Sequence, residues 1–205
     1  MELTEQQSDA LSELINIGYA RAAGALSELT GHRISLEVPR VAIHEIHQIT
    51  SLLTSVLKGE VASVNQVFSG PVSGNALLLL DEQAALLLYQ LLTEHSDTAV
   101  LDSGAREVIT EVGNILLNAC LGVFGNLLRV HVSFAVPRLQ IESVEEVLGS
   151  ISVGKEELRY ALMIHTRFRV RASDVSGYLV LILGIVSMER LLAELKQWEA
   201  RQIAQ

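Results

Sequence analysis

The sequence is poor in cysteine, proline and aromatic residues, and its basic residues form no block. It contains one Cys, 3 Pro and 4% aromatic residues among 205 positions. A single cysteine cannot form an internal disulfide, and the acidic, polar start Met1–Glu5 does not resemble a secretion leader, so we expect a cytoplasmic protein. The scattered 15 Lys and Arg residues and the net charge of −9 argue against nucleic-acid binding, because phosphate contacts need clustered cations.

No apolar run is long enough to predict a membrane span. The longest extends from Tyr178 to Val186, whereas a bilayer requires roughly 20 residues. With 49% hydrophobic residues, the chain can bury a sizeable core without disulfides or metals. His44 and His47 do not predict a zinc site, because no third or fourth ligand lies near them in the sequence. We therefore predict no metal site and no cofactor bound by the chain itself.

Hydrophobic periodicity predicts an α/β fold with strands packed against two long surface helices. Helices are expected over residues 4–30, 46–57, 81–93, 104–128, 144–148 and 187–200. Strands are expected over residues 33–41, 60–68, 74–80, 130–139, 158–170 and 176–183. Thr4 and Gln7 fit a capping box at the start of the first helix, and Gly31 can end it.

The order of elements repeats, and so do several residues. Glu13, Asn16 and Val38-Pro39-Arg40 recur at a constant offset of 98 as Glu111, Asn114 and Val136-Pro137-Arg138. Val72-Ser73-Gly74 recurs as Val175-Ser176-Gly177. The sequence therefore predicts one domain of two repeats, about 1–97 and 98–205, related by a pseudo-two-fold axis and joined within the polar stretch 94–102.

The repeated acid and amide lie on one face of each long helix. Helical periodicity places Asp9, Glu13 and Asn16 on a single stripe of the first helix, since residues three and four apart are neighbours. The second helix carries the same stripe as Glu107, Glu111, Asn114 and Asn118. The opposite faces are apolar, with Leu11, Leu14, Ile15, Ala22, Leu26 and Leu29 in the first helix and Ile109, Val112, Leu116, Cys120 and Leu127 in the second. Both stripes are thus predicted to face solvent, and Cys120 to pack in the core.

The pattern Asp9-x3-Glu13-x2-Asn16, followed by Pro39 and repeated as Glu107-x3-Glu111-x2-Asn114 with Pro137, resembles the signature of the CheC/CheX/FliY phosphatases of chemotaxis. The resemblance covers nearly the whole chain and is greatest to CheC-type proteins, which have two signature copies and no added domain. It implies hydrolysis of the aspartyl phosphate on the response regulator CheY. The implied partners are phosphorylated CheY and, for CheC-type proteins, CheD.

By this resemblance the catalytic residues are Glu13, Asn16, Glu111 and Asn114. The asparagines would hold a water in line with phosphorus, and the glutamates would pair with a receiver lysine. Mg²⁺ is expected in the partner receiver domain. For Asp9 and Glu107 two interpretations stay open: support of the site, or stabilisation of a helix N-terminus.

A different class of function also fits the sequence. A CheC-like adaptor or flagellar-switch module would bind a receiver domain or CheD without accelerating hydrolysis. The presence of both Asn16 and Asn114 favours the phosphatase, because an adaptor under no catalytic demand could lose either. The echo could also be a remnant of duplication without function.

Overall fold

The computed structural model describes residues 3–37, 41–70, 72–93, 99–128, 131–152, 158–170 and 172–203. The helices are α1 (Glu5–Thr30), α2 (Ile46–Val56), α3 (Glu82–Thr93), α4 (Ser103–Leu128), α5 (Val144–Ser152) and α6 (Ile185–Ile203). The strands are β1 (Ile34–Glu37), β2 (Val41–Glu45), β3 (Glu60–Ser69), β4 (Gly74–Asp81), β5 (Ser133–Phe134), β6 (Arg138–Ser143), β7 (Leu158–Val170) and β8 (Ser173–Gly184). The predicted mixed α/β fold class is confirmed.

Local signals determine both ends of α1. The Thr4 hydroxyl accepts a hydrogen bond from the Gln7 backbone N–H at 3.2 Å, and the Gln7 side chain accepts one from the Thr4 N–H at 3.0 Å. Gly31 ends the helix with a φ of 69° and donates its N–H to the carbonyl of Ser27. This left-handed conformation favours glycine, so both predicted ends of the first helix are confirmed.

One predicted strand is interrupted in the structure, and another is described only in part. The strand expected over 130–139 consists of β5 and β6, with residues 135–137 between them outside any strand. Of the strand expected over 33–41, β1 and the first residue of β2 are described, and residues 38–40 lie outside the described residues. Phe68 pairs with Phe134 and Asn65 with Arg138, so three residues of one chain segment lie opposite two of the other. One extra residue in one of two paired strands is typical of a β-bulge. Pro137 lies within this segment and has no N–H to donate to the ladder.

The sheet is antiparallel, and its strand order is symmetric between the two halves of the chain. Its order is β1-β7-β8-β4-β3-β5, with β2 also paired to β7 and β6 to β3. Exchanging β1–β4 with β5–β8 reproduces this order, which agrees with the predicted pseudo-two-fold arrangement. The edge strands β1 and β2 therefore pair with the second half of the chain, and β5 and β6 pair with the first. The boundaries at 97 and 98 stay a prediction.

Helices cover both faces of the sheet. Helices α1, α3, α4 and α6 pack on one face in a large apolar core, and α2 and α5 pack on the other in a smaller one. In β4, Leu78 and Leu80 join the large core and Leu77 and Leu79 the small one. The unbroken apolar runs of β4 and β8 follow from this double burial, since successive side chains of a strand point to opposite faces.

One described helix is long and apolar enough to cross a membrane by length and composition alone. It is Ser103–Asn126 within α4, and half of its apolar window is buried inside the protein. The helix packs on α1, β3 and β4, as a core helix does. The predicted cytoplasmic location stays a prediction.

Helices α1 and α4 pack in close contact near Gly18. A Cβ at Gly18 would lie 3.2 Å from the Cα of Cys120, so the two backbones approach where a side chain is missing. Cys120 is 1% exposed, which confirms its predicted place in the core. Leu29 was expected on the buried face but is 61% exposed. The last core residue of α1 is Leu26, so the final turn projects past the core.

We expect the thiol of Cys120 to resist alkylation in the folded protein. Burial raises its pKa well above the ordinary value of a thiol, and the reactive thiolate is therefore scarce at neutral pH. Iodoacetamide labelling followed by mass spectrometry across a urea series should track unfolding measured by circular dichroism. Rapid labelling in native buffer would contradict the packing of α1 on α4.

Candidate functional site

Both acid-and-amide stripes lie on the surface of the two packed helices α1 and α4. Asp9 and Glu13 are exposed and Asn16 is half-buried on α1. The structure places each predicted residue on the outer face of its helix, and the flanking Leu14 and Ile15 are buried in the core. Because Glu13 and Asn16 are three residues apart on a helix, the carboxylate and the carboxamide are neighbours.

The second stripe has the same exposure. Glu107 and Glu111 are exposed, and Asn114 is half-buried, on α4. The Asn114 amide nitrogen lies 3.5 Å from a carboxylate oxygen of Glu111, a long contact. Neither pair is buried or divided between opposite sides of its helix. Each pair can therefore be reached by a second protein.

The helix surface beyond each stripe is open. An added Cβ at Gly24 of α1 or at Gly122 of α4 would meet nothing within 4 Å. Ile17 on α1 is 39% exposed beside Asn16, whereas Ile115 at the equivalent place on α4 is half-buried. A partner could thus approach both helices closely without displacing side chains.

A chain of amide side chains connects the second stripe to the sheet. The Asn118 amide nitrogen donates to the side-chain oxygen of Asn114 at 2.7 Å. The Gln66 amide nitrogen donates to the side-chain oxygen of Asn118 at 3.1 Å and to the backbone carbonyl of Ala135 at 3.0 Å. Gln66 lies on β3 and is 1% exposed. Asn114 is therefore held from below by hydrogen bonds that begin in the core.

The first stripe has a different attachment to the sheet. Ala20 occupies the position equivalent to Asn118 at the offset of 98. Among the described residues, none hydrogen-bonds the carboxamide of Asn16. Helix α1 is anchored instead by Tyr19, whose hydroxyl hydrogen-bonds Thr166 of β7 inside the core. Burial raises the pKa of Tyr19 well above its ordinary value, so this phenol stays neutral.

An open groove of about 1060 Å³ runs beside the second stripe. Glu107 and Glu111 form one wall, β3 contributes Asn65 and Val67, and residues 135–140 form the other wall. Val136 on that wall is 83% exposed and Val67 is 41% exposed. The groove therefore offers carboxylates next to an apolar surface, a combination suited to a protein partner.

Arg138 and Pro137 line this groove with Glu111. The sequence analysis assigned no role to Arg138, and in the structure it lies on the groove wall. Its echo at the offset of 98 was the available signal. The equivalent Pro39 and Arg40 lie outside the described residues.

The described residues contain no group of three or more His, Cys, Asp and Glu side chains that could hold a metal ion. His47 instead faces Glu45, with 3.4 Å between its Nδ1 and a carboxylate oxygen. Carboxylates and carboxamides are what the two stripes present. Such groups can orient a water and pair with a cation on another protein.

Comparison with known proteins supports a CheC-type family for this chain, which is homologous to CheC and FliY. It is 23% identical over 203 residues to the CheY-P phosphatase CheC of Bacillus subtilis, covering 94% of this chain and 95% of that protein. It is 20% identical over 178 residues to the flagellar motor switch phosphatase FliY of Bacillus subtilis, covering 85% of this chain. The match spans 45% of that FliY. No family model matches the chain.

Solved structures show the same fold. The crystal structure of Thermotoga maritima FliY matches with a TM-score of 0.77 and 18% identity, covering 96% of this chain and 99% of that one. The FliG–FliM complex from H. pylori contains a chain that matches with a TM-score of 0.66 and 8% identity, covering 93% of this chain and all of that one. The fold is thus shared by FliY and by a chain of the FliG–FliM complex.

Proposed function

We propose that this protein is a phosphatase that hydrolyses the aspartyl phosphate of a CheY-type response regulator, with one site in each half. The observation that carries the proposal is the outward-facing acid-and-amide pair on each of two packed helices, Glu13 with Asn16 and Glu111 with Asn114. Homology to CheC and FliY, both named as phosphatases, supports the same activity.

The chemistry suits these residues, because an acyl phosphate is already activated. Its hydrolysis needs a water held in line with phosphorus and needs no nucleophile from the accessory protein. The carboxamides of Asn16 and Asn114 offer both a donor and an acceptor for that water. Mg²⁺ already bound in the receiver domain would neutralise charge on the phosphoryl group.

The carboxylates of Glu13 and Glu111 have the separate role of docking. One helical turn from the asparagine, each can pair with a receiver lysine and thereby fix the position of the helix over the phosphoryl group. Asp9 and Glu107 lie one turn nearer the N-terminus on the same faces. They support docking or stabilise the helix start, and both interpretations stay open.

A second candidate is a non-catalytic adaptor or flagellar-switch module. The specific observation in its favour is the fold, because a chain of the FliG–FliM complex from H. pylori shares it. Such a module would bind a receiver domain or CheD through the same helices without accelerating hydrolysis. CheD as a partner and a cytoplasmic location belong to the proposal in either case.

Turnover separates the two candidates. A receiver domain phosphorylated by an acyl-phosphate donor is mixed with the chain at one tenth of its concentration, and phosphate release is followed. The phosphatase is expected to dephosphorylate all of the receiver, because each molecule acts repeatedly. Binding of the phosphorylated receiver without faster release would establish the adaptor instead.

A further inference from the structure

The amide chain beneath the second stripe has a fixed direction. The backbone carbonyl of Ala135 can only accept, so the Gln66 side chain must turn its amide nitrogen toward it. The same nitrogen donates its second hydrogen to Asn118, and the amide nitrogen of Asn118 is thereby directed at Asn114. The backbone thus determines which atom each carboxamide presents to the next.

This direction determines which atoms the Asn114 carboxamide presents at the surface of α4. Its oxygen accepts from Asn118, and its nitrogen turns toward the carboxylate of Glu111. Since an amide has two hydrogens and two lone pairs, one N–H and one lone pair of Asn114 stay free. Those are the two contacts that a water held in line with phosphorus requires.

Burial and hydrogen bonding fix the orientation of the Gln66 carboxamide at the start of this amide chain. It is 1% exposed, and its side-chain oxygen is buried with no hydrogen-bond partner among the described residues. Rotating the carboxamide would place that oxygen against the carbonyl of Ala135 and lose both donated bonds. A buried acceptor left without a partner lowers the stability of the folded protein. The two hydrogen bonds that the Gln66 nitrogen donates offset this loss in the observed orientation.

We propose that Asn118 and Gln66 are positioning residues that hold the carboxamide of Asn114, an inference that rests on the proposed function. The first stripe lacks this device, since Ala20 has no side-chain amide and Asn16 has no equivalent hydrogen bond among the described residues. The two sites of the chain therefore differ in how far their asparagine is fixed before the receiver binds.

Kinetics in a chain with only the second site intact test this role. In an N16A background, N118A is expected to lower kcat by about tenfold and to change KM for the phosphorylated receiver by less than about twofold. The N118D variant keeps the size of the side chain and an acceptor for Gln66, but it cannot donate to Asn114. It should therefore lose as much kcat as N118A, whereas a purely structural role predicts a rate near that of the parent.

Controls confine the effect to the hydrogen-bond chain. Asn126→Ala removes an exposed amide from the same helix and should leave kcat unchanged. Adding N118A to N114A should cost no further activity, because nothing is left to orient. An equal loss from N118A with and without Asn114 would overturn the proposal.

Side-chain dynamics decide the inference independently of activity. In ¹⁵N relaxation, we expect the order parameter of the Asn114 side-chain amide to be higher than that of Asn16. The N118A substitution should lower the Asn114 order parameter to the value found for Asn16. If the parent chain has no phosphatase activity, the proposed function fails while this measurement still decides the positioning role. An Asn114 amide as mobile as Asn16 in the parent, or unaffected by N118A, would refute it.

Discussion

Replacing Asn16 and Asn114 together by alanine is expected to lower chain-stimulated dephosphorylation of the receiver by about 100-fold. Both carboxamides are the groups proposed to hold the attacking water, and alanine can neither donate nor accept at that position. Phosphate release from the phosphorylated receiver, with the chain below stoichiometric concentration, measures the effect. Unchanged hydrolysis in the double variant would rule out the mechanism.

The fold should survive this double substitution. Asn16 and Asn114 are half-buried on outer helix faces, and alanine is the best helix former. The midpoint of urea unfolding is therefore expected to stay close to that of the parent. Asn126→Ala, which removes an exposed amide elsewhere on α4, is the matched control and should leave both activity and stability unchanged.

Gly74→Ala is expected to destabilise the protein by about 3 kcal/mol or more. A Cβ at Gly74 would lie 2.2 Å from the backbone carbonyl oxygen of Ile182 and 2.9 Å from the ring of Phe68. A backbone atom cannot rotate away, so β4 and β8 must separate at this end of their ladder. The free energy of unfolding from urea titration measures the loss.

Gly177→Ala tests the equivalent close approach of β8 to β4 at the other end of their ladder. Its Cβ would lie 2.8 Å from the carbonyl oxygen of Leu79 and 2.4 Å from the side chain of Leu80. We expect a similar destabilisation, since the two glycines flank opposite ends of the β4–β8 ladder. Gly24→Ala is the control, because that position is open and helix propensity should stabilise it by about 0.5–1 kcal/mol. Full stability of both strand variants would contradict the close approach.

Features set by local sequence could be predicted. The capping box at Thr4, the helix end at Gly31 and the outward stripe of Glu13 and Asn16 depend on residues within one or two helical turns. The repeated Val-Ser-Gly was visible as a match at 74 and 177, although its reason was not. The reason lies in a contact between strands that are distant in sequence, which hydrophobic periodicity does not report.

Features set by distant partners could not be predicted. The interruption at Pro137 reflects the register of β3, and Leu29 is exposed because the core ends at Leu26. Gln66 appeared as one polar residue in a strand, with nothing nearby to indicate that it supports Asn118 more than fifty positions later. The sequence analysis therefore missed Gln66, which contacts the site from a strand of the sheet, whereas it identified the site residues that lie on one helix face.

The exchange of edge strands between the halves bears on how such a chain could arise. Glu37 of β1 forms ion pairs with Arg167 and Arg169 of β7, at 2.8 and 2.6 Å, so the exchanged strand is also held by charge. A single ancestral copy would have left β3 and β4 with unpaired edges, which invite association. It could complete the sheet only by joining a second copy of itself. Joined in one polypeptide, two such copies can differ in their surfaces, as Ala20 and Asn118 do at equivalent positions.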